Sequence, residues 1–286
     1  MKVWHQKEML RPDFPFRLWI VKNMDFSPHW HQEIEVVYVL EGIMQVGLND
    51  KIYTLKAHDI FIIGGGEVHY FLSHSQPGQA VLVQFGLSLF DTYSDVMSDR
   101  RFVKPLLEHS TRVAGDVDIH KEAEKQILLL VDEYKKKLYG FQMALKARLY
   151  DLMIILLRYV PTRRYSVREK TEQLICLERL EEVFQYVEEY YRSEISLESI
   201  SKVANFSVYH FTRFFKDTTG MSFGQYLSNF RIRKAERYLM NIEDSITEVA
   251  YKSGFNSIKT FNRVFKQLKG CSPTEYRKNK SAISEE

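Results

Sequence analysis

Four residues in the first quarter of the chain have the types and spacing for ligand chemistry. His29, His31 and Glu35 form His-x-His-x3-Glu with Gly42 seven residues on, and His69 closes Gly66-x-x-His. Imidazole nitrogens and a carboxylate are donors that hold a divalent transition metal. The same groups can hydrogen-bond a polar organic molecule, with Trp19, Trp30, Phe71 and Gln84 as stacking surface or further polar contacts. A third reading leaves them as buried polar residues satisfied within their own domain. All three stay open on the residues alone. Effector binding by Trp19, His29, His31, Glu35, His69, Phe71 and Gln84 is the working expectation, with no metal and no cofactor assigned. His5, His74, His109 and His120 have no evident partner and read as solvated. The Gly64–Gly66 run lacks the strand-to-helix pattern with Lys-Ser/Thr of a phosphate loop. No hydrolase triad stands out, so the chain reads as a non-enzyme.

A second set of polar residues lies in the last hundred positions, which contain a duplication. Ser196-Leu-Glu-Ser-Ile200 matches Ser245-Ile-Thr-Glu-Val249 at an offset of 49, and Phe206 matches Phe255. After Asn256, the inserted residue, the offset becomes 50: Phe211/Phe261, Arg213/Arg263, Phe215/Phe265, Lys216/Lys266, Gly220/Gly270 and Tyr226/Tyr276. Each unit reads as a short helix, a tight turn and a second helix. Ser196 and Ser245 are suited to cap the first helices, with a capping box at Ser245-x-x-Glu248. The phenylalanines of the second helices face inward. That leaves Ser207, Tyr209, His210, Thr212, Arg213 and Lys216 outside in one copy. In the other it leaves Ser257, Lys259, Thr260, Asn262, Arg263 and Lys266. Such residues near a helix N-terminus suit major-groove readout. Between the units, residues 223–240 can form one helix of roughly 27 Å at 1.5 Å per residue. This approaches the ~34 Å between successive major-groove faces. Arg231, Arg233 and Lys234, with Arg237, read as its outer side, within reach of phosphates.

The elements that must position the first set are strands. Residues 16–22, 34–40, 44–48, 51–55, 59–63, 68–72 and 80–85 are β-rich runs at about ten-residue spacing, separated by turn signals. Period-2 geometry puts His29, His31 and Glu35 on one face of one strand region. After residue 116 the period becomes helical. Residues 119–139 and 141–159 read as a hairpin broken at Gly140, with apolar stripes wider than one hairpin can bury by itself. Residues 161–170 (PTRRYSVREK) are polar and basic and read as linker.

Composition agrees with two unlike halves. Residues 193–280 hold 15 Lys+Arg against 8 Asp+Glu, whereas residues 1–192 hold 25 against 27. The overall charge of +3 averages a basic half with a slightly acidic one. At 45% hydrophobic and 27% charged, the chain is neither disordered nor fibrous. Two cysteines are too few for a disulfide framework, and no run is long and apolar enough for a membrane span. A cytoplasmic location is expected.

The C-terminal residues resemble the AraC/XylS-type transcriptional regulators from about 177 to 278. The most specific part is Gly254-Phe255 before the second turn and Gly270-x-Ser-Pro-x-x-Tyr276-Arg277 after it. Asn205-Phe206 departs from the Gly-Phe pair often seen in the first unit. The resemblance implies seven helices, the first near 177–191, and two recognition helices in adjacent major grooves. The His-x-His-x3-Glu-x6-Gly and Gly-x-x-His segments resemble the two cupin motifs, with Gly64, His58 and Ser73 as departures. In this family such a barrel commonly binds an effector and forms dimers. The expected fold is α+β in two domains. A cupin-like β-barrel (1–112) with a helical hairpin (113–160) precedes a linker (161–173), an all-α domain of two helix-turn-helix units joined by a linker helix (174–280) and a tail (281–286). The expected partners are promoter DNA, a small polar effector such as a carbohydrate, a second copy of the chain and, for an activator, RNA polymerase, with no membrane. The alternatives are a metal-dependent cupin enzyme fused to a DNA-binding domain, or an architectural DNA binder without a ligand.

Overall fold

A computed structural model describes residues 13–72, 78–93, 100–109, 118–241 and 243–283. The chain divides into two compact units, Met1–Leu177 and Glu178–Glu286.

The first unit is built on two antiparallel sheets. The five-stranded one has the order β1 (Phe16–Lys22), β8 (Gln79–Phe85), β3 (Ile34–Glu41), β6 (Ile60–Ile63), β10 (Leu106–Leu107). The four-stranded one runs β2 (Phe26–His29), β7 (His69–Leu72), β4 (Ile43–Leu48), β5 (Lys51–Lys56). Between them lies a hydrophobic core that includes Val37, Val39, Met44, Val46, Leu55, Ile63, Phe71 and Leu82. The other face of the larger sheet is also covered. There Val36, Tyr38, Ile62, Val81 and Val83 pack with Ile127, Leu130, Leu149, Leu152 and Leu156 of the hairpin helices α1 (Ile119–Lys136) and α2 (Phe141–Tyr159). Burial on both faces explains why β3, β6 and β8 are continuous apolar runs and not alternating ones. The wide stripes of the hairpin are buried for the same reason.

Two elements occupy the stretch expected to be linker. Thr162–Arg164 forms β11, paired with β9 (Arg100–Phe102), and α3 (Val167–Tyr190) begins three residues later. No helix among the described residues is long and apolar enough to cross a membrane.

The second unit contains the end of α3 and six further helices: α4 (Leu197–Val203), α5 (Val208–Thr219), α6 (Phe223–Leu239), α7 (Ile246–Lys252), α8 (Ile258–Lys269) and α9 (Pro273–Ile283). Serine hydroxyls accept from the third backbone N–H onward at Ser196, Ser207, Ser222, Ser245 and Ser257, and Ser245 and Ser222 form full capping boxes. Gly220 and Gly270 end α5 and α8 in the left-handed conformation. Phe211 and Phe215 pack with Phe184, Phe223 and Tyr226 in the first unit of the repeat. Phe261 and Phe265 pack with Phe255, Ile232, Leu239 and Val249 in the second.

The two turns reach the same backbone shape with different residues. Asn205 has φ 56° and Gly254 φ 89°. Asparagine tolerates that region better than other side-chain-bearing residues do. A Cβ on Gly254 would stand 2.1 Å from the carbonyl oxygen of Tyr191. Gly254→Ala is therefore expected to destabilise this unit by about 2–4 kcal/mol, from left-handed strain and a backbone clash together. Asn205→Gly should stay within about 1 kcal/mol of the parent. Chemical denaturation of the two variants checks this; equal losses would contradict it.

Candidate effector site and nucleic-acid interface

Inside the first unit, three imidazoles and a carboxylate converge. His29 ends β2, His31 lies in the connection that follows, Glu35 is the second residue of β3, and His69 opens β7. The expectation of one shared strand face is corrected, because β2 and β3 lie in different sheets. The chain crosses between them at residues 30–33, so His29 pairs with His69 in one sheet while Glu35 pairs with Gln84 in the other. Convergence comes from closing the sandwich, not from period 2.

Ring centroids are 4.1 Å apart for His29–His69, 4.9 Å for His31–His69 and 5.9 Å for His29–His31. One ring nitrogen from each lies within 4.8 Å of the others. None of the four residues is more than 2% exposed. Nδ1 of His29, His31 and His69 sits 2.9, 3.0 and 2.8 Å from the carbonyl oxygens of Ser27, Glu33 and Glu67. A carbonyl only accepts, so each Nδ1 donates, and Nε2 is the nitrogen each ring can offer to the centre.

Charge follows from burial. Desolvation pushes the His69 imidazole down to about 4, with the charge of His31 in the same direction and Glu35 and the Glu67 carbonyl opposing it. His69 is thus neutral at neutral pH. Burial would raise the Glu35 carboxyl, but the contact with His31 and the charges of His69 and His31 outweigh it and hold it below its ordinary value. Glu35 Oε2 lies 3.3 Å from His31 Nε2. Glu35 Oε1 and His69 Nε2 find no hydrogen-bond donor among the described residues. A buried orphan acceptor costs about 1–3 kcal/mol. A cation or a donor-bearing ligand at this centre would recover that cost. The residues fit a divalent metal: three imidazoles, a carboxylate, and carbonyls that orient each ring from behind.

Of the other expected effector residues, Gln84 is buried and faces Glu35 across the strand pair. Phe71 stands perpendicular to His69 at 6.2 Å. Trp19 is placed differently: it pairs with Leu82, packs on the hydrophobic core and stacks with Arg17 at 4.7 Å. Phe26 brings a second aromatic ring to the cluster, edge-on to His29 at 4.5 Å. No motif marked Phe26; its only signal was its place three residues before His29. His120 is also corrected from solvated to fully buried. Its Nε2 donates to the His58 carbonyl at 2.6 Å, which ties α1 to the barrel. His5 and His74 lie outside the described residues.

On the repeat, Tyr209, His210, Thr212, Arg213 and Lys216 of α5 are exposed, as are Lys259, Thr260, Asn262, Arg263 and Lys266 of α8. Ser207 and Ser257 are the helix caps, so their hydroxyls serve the backbone first. Arg213 forms a loose surface pair with Asp217 at 3.5 Å. The linker helix departs from expectation. Arg231 is not an outer residue: it donates to the carbonyls of Tyr191 and Ser193 at 2.9 and 2.8 Å. Lys234 pairs with Glu188 at 2.6 Å and lies over Tyr191 and Phe230. Arg233 is half-buried, and Arg237 remains exposed. The reason is that α6 runs through the middle of its unit, so most of its circumference meets protein.

Residues 14–153 match the family model of the AraC-like ligand binding domain, and residues 200–279 match that of a helix-turn-helix domain. The chain belongs to the AraC-type transcriptional regulators. YdeC of Bacillus subtilis (strain 168), called an uncharacterized HTH-type transcriptional regulator, is 24% identical over 261 residues, covering 88% of this chain and 86% of YdeC. A Staphylococcus aureus (strain COL) protein described in the same words is 24% identical over 249 residues. That match covers 87% of this chain, which spans only 32% of the Staphylococcus protein's length. Among solved structures, ToxT from Vibrio cholerae is 14% identical with a TM-score of 0.46, covering 92% of this chain and 98% of ToxT. The DNA-binding domain of AdpA, solved with a target DNA, is 30% identical with a TM-score of 0.35, covering 36% and 92%.

In this AraC-type chain the signature at the end of the second repeat acts within the protein. Tyr276 donates to Glu236 at 2.8 Å, and Arg277 donates to the carbonyls of Leu239 and Asp244 at 3.1 and 2.7 Å. Arg231 does for the end of α3 what Arg277 does for the end of α6. Arg231→Ala is therefore expected to cost about 2–3 kcal/mol of stability, since it strips charged donors from two carbonyls. The salt dependence of DNA binding should stay unchanged at a temperature where the variant is folded. A flattened salt slope in a fully folded R231A protein would restore Arg231 as a phosphate contact.

Proposed function

We propose that the protein is a homodimeric, promoter-binding transcription activator. Its barrel would respond to a small polar ligand at His29, His31, Glu35 and His69, and α5 and α8 would read DNA. The observation that carries this reading is the pairing of a buried, ligand-competent cluster in an AraC-like ligand binding domain with two capped helices that expose matching basic residues, Arg213 and Lys216 in one and Arg263 and Lys266 in the other. Such a protein would work in the cytoplasm, where promoter DNA and RNA polymerase are. Base reading is assigned to Arg213, Thr212, Tyr209 and His210 of the first repeat and to Lys259, Thr260, Asn262 and Arg263 of the second. Lys216 and Lys266, one turn further on, are assigned to phosphates. An effector can move the protein between arrangements only by its differential affinity for them. Arg263→Ala is expected to cost about 1–3 kcal/mol at one base position of the operator. Competition binding with point-mutated operators measures it; an equal loss on random DNA would reassign Arg263 to the backbone.

For the ligand, a carbohydrate is the class expected of a polar barrel, its hydroxyls donating to the orphan acceptors. A second reading is favoured by a specific observation: the imidazoles stand too close together for a sugar ring to enter between them, whereas an ion fits. In that reading His29, His31, His69 and Glu35 hold a divalent transition metal, which would supply a Lewis-acidic point for the effector. Metal analysis of untagged protein separates the two. Stoichiometric manganese, iron or zinc, lost in His69→Ala, supports the metal. Metal-free protein whose melting temperature rises with a sugar, but not in His69→Ala, supports the carbohydrate.

The dimer is assigned to α2. Met143, Ala147, Tyr150, Ile154 and Leu157 recur at alternating steps of four and three, the spacing of a helix–helix seam. Met143 is 78% exposed and Ile154 42%, while Tyr150 between them packs edge-on to Phe90, so the two ends of this stripe remain open to a second chain. Ile154→Lys is expected to yield a monomer of parent-like melting temperature in sedimentation experiments. A variant that stays dimeric would move the interface elsewhere.

A further inference from the structure

The short ribbon of β9 and β11 sets arginine against arginine. Its register places Arg163 opposite Arg101 and Arg164 opposite Arg100. Like charges directly opposed on a sheet cost stability. On one face of the ribbon, Arg101 and Arg163 line a half-open cleft of about 320 Å³, whose wall includes Glu67, two residues before His69. Asp50, Lys51, Tyr53 and Glu67 contribute to the remaining wall. Glu67 is only 6% exposed, and one of its oxygens accepts the backbone N–H of Gly64 at 2.8 Å. Arg163 donates to Glu169. Among the described residues Arg101 forms no ion pair, and its guanidinium lies over the Tyr165 ring, 5.6 Å from the centroid.

A cleft walled by two opposed guanidiniums and a buried carboxyl offers both signs of charge to a ligand. The arginines call for an anion, and a guanidinium matches a carboxylate in planar, two-point fashion. Glu67 already accepts from Gly64 and bonds the Asn49 side chain, and its two oxygens have lone pairs left for one further donor. We propose that this cleft binds a small hydroxy or amino acid, its carboxylate between Arg101 and Arg163 and its hydroxyl or ammonium on Glu67. The volume lies at the lower end of the range for small-molecule sites. This proposal goes beyond the promoter-binding reading and does not depend on what the histidine cluster holds.

The location gives the ligand something to act on. The Glu67 carbonyl accepts from Nδ1 of His69, and Gly66 on the same turn accepts from Gln173 of α3 at 2.9 Å. β11 leads directly into α3. An acid bridging Arg163 and Glu67 would therefore tie β11 to the turn that orients His69.

The test is isothermal titration of the full chain with L-malate, L-glutamate and succinate in a carboxylate-free buffer. L-Malate or L-glutamate is expected to bind one to one and more tightly than succinate, which lacks the donor. Arg101→Gln and Arg163→Gln should each weaken binding by about tenfold or more, a loss of about 1.4 kcal/mol or more. Glu67→Gln should erase the preference over succinate. Arg164→Gln, on the other face of the ribbon, should bind as the parent does. Should Arg163→Gln lower the melting temperature through loss of its partner Glu169, Arg163→Lys keeps the charge without the fork and should still lose affinity. The proposal is overturned if neither malate nor glutamate binds, or if a folded Arg101→Gln/Arg163→Lys double variant binds them as the parent does.

Discussion

Each of the three imidazoles in the barrel gives its Nδ1 hydrogen to a backbone carbonyl, at Ser27, Glu33 and Glu67. That constraint organises the first unit. A carbonyl accepts only, so Nε2 is the nitrogen that each ring turns inward, and that of His31 lies 3.3 Å from a Glu35 oxygen. The three rings are held as a convergent set beside a carboxylate, buried from solvent. The fold carries the cost in the surrounding core: β3, β6 and β8 are buried on both faces, and the hairpin seals the outer one. A polar centre of this kind persists in an apolar interior only when the framework is strong enough to hold unsatisfied groups together until a ligand arrives.

The second unit applies another constraint twice. Two long helices, α3 and α6, each end in carbonyls that helix geometry leaves unpaired. Arg231 and Arg277 supply the missing donors, and each also reaches into the loop leading to the next short helix. In this way each helix-turn-helix unit is fixed to the long helix before it. Helices α5 and α8 keep their polar faces exposed because the positions that build the unit lie elsewhere, on the phenylalanine face, the serine caps and the guanidinium anchors.

Much of this was legible in the sequence because the signals are local. Strand runs, the break at Gly140, the serine caps and the 49/50-residue repeat all follow from short-range patterns, and α2 and β1 occupy the expected spans. Convergence of His29, His31, Glu35 and His69 was legible too, though for the wrong reason. Spacing pointed to one strand, and the real cause is the crossing between sheets, a non-local event. Direction around a central helix was not legible. Arg231 and Lys234 look like surface residues by type, and only the packing of α3 against α6 shows that their charges are spent inside. Trp19 failed similarly, since an inward-facing strand position does not say at which depth of the barrel a ring will lie. The β9–β11 ribbon escaped notice because two three-residue strands sixty residues apart carry no periodicity.

The doubly covered sheet also bears on how such a protein can be divided or recombined. The barrel and its hairpin share one continuous hydrophobic cluster, from Phe16 and Val83 to Leu149 and Leu156. A cut between strands and helices would lay a bare aliphatic sheet open to water and to other chains. The hairpin is thus the second wall of the sensor and not an appendage to it. As an exchangeable module, the sensor extends to the boundary inside α3, so a shuffled or engineered chimaera would have to keep barrel, hairpin and ribbon as one piece.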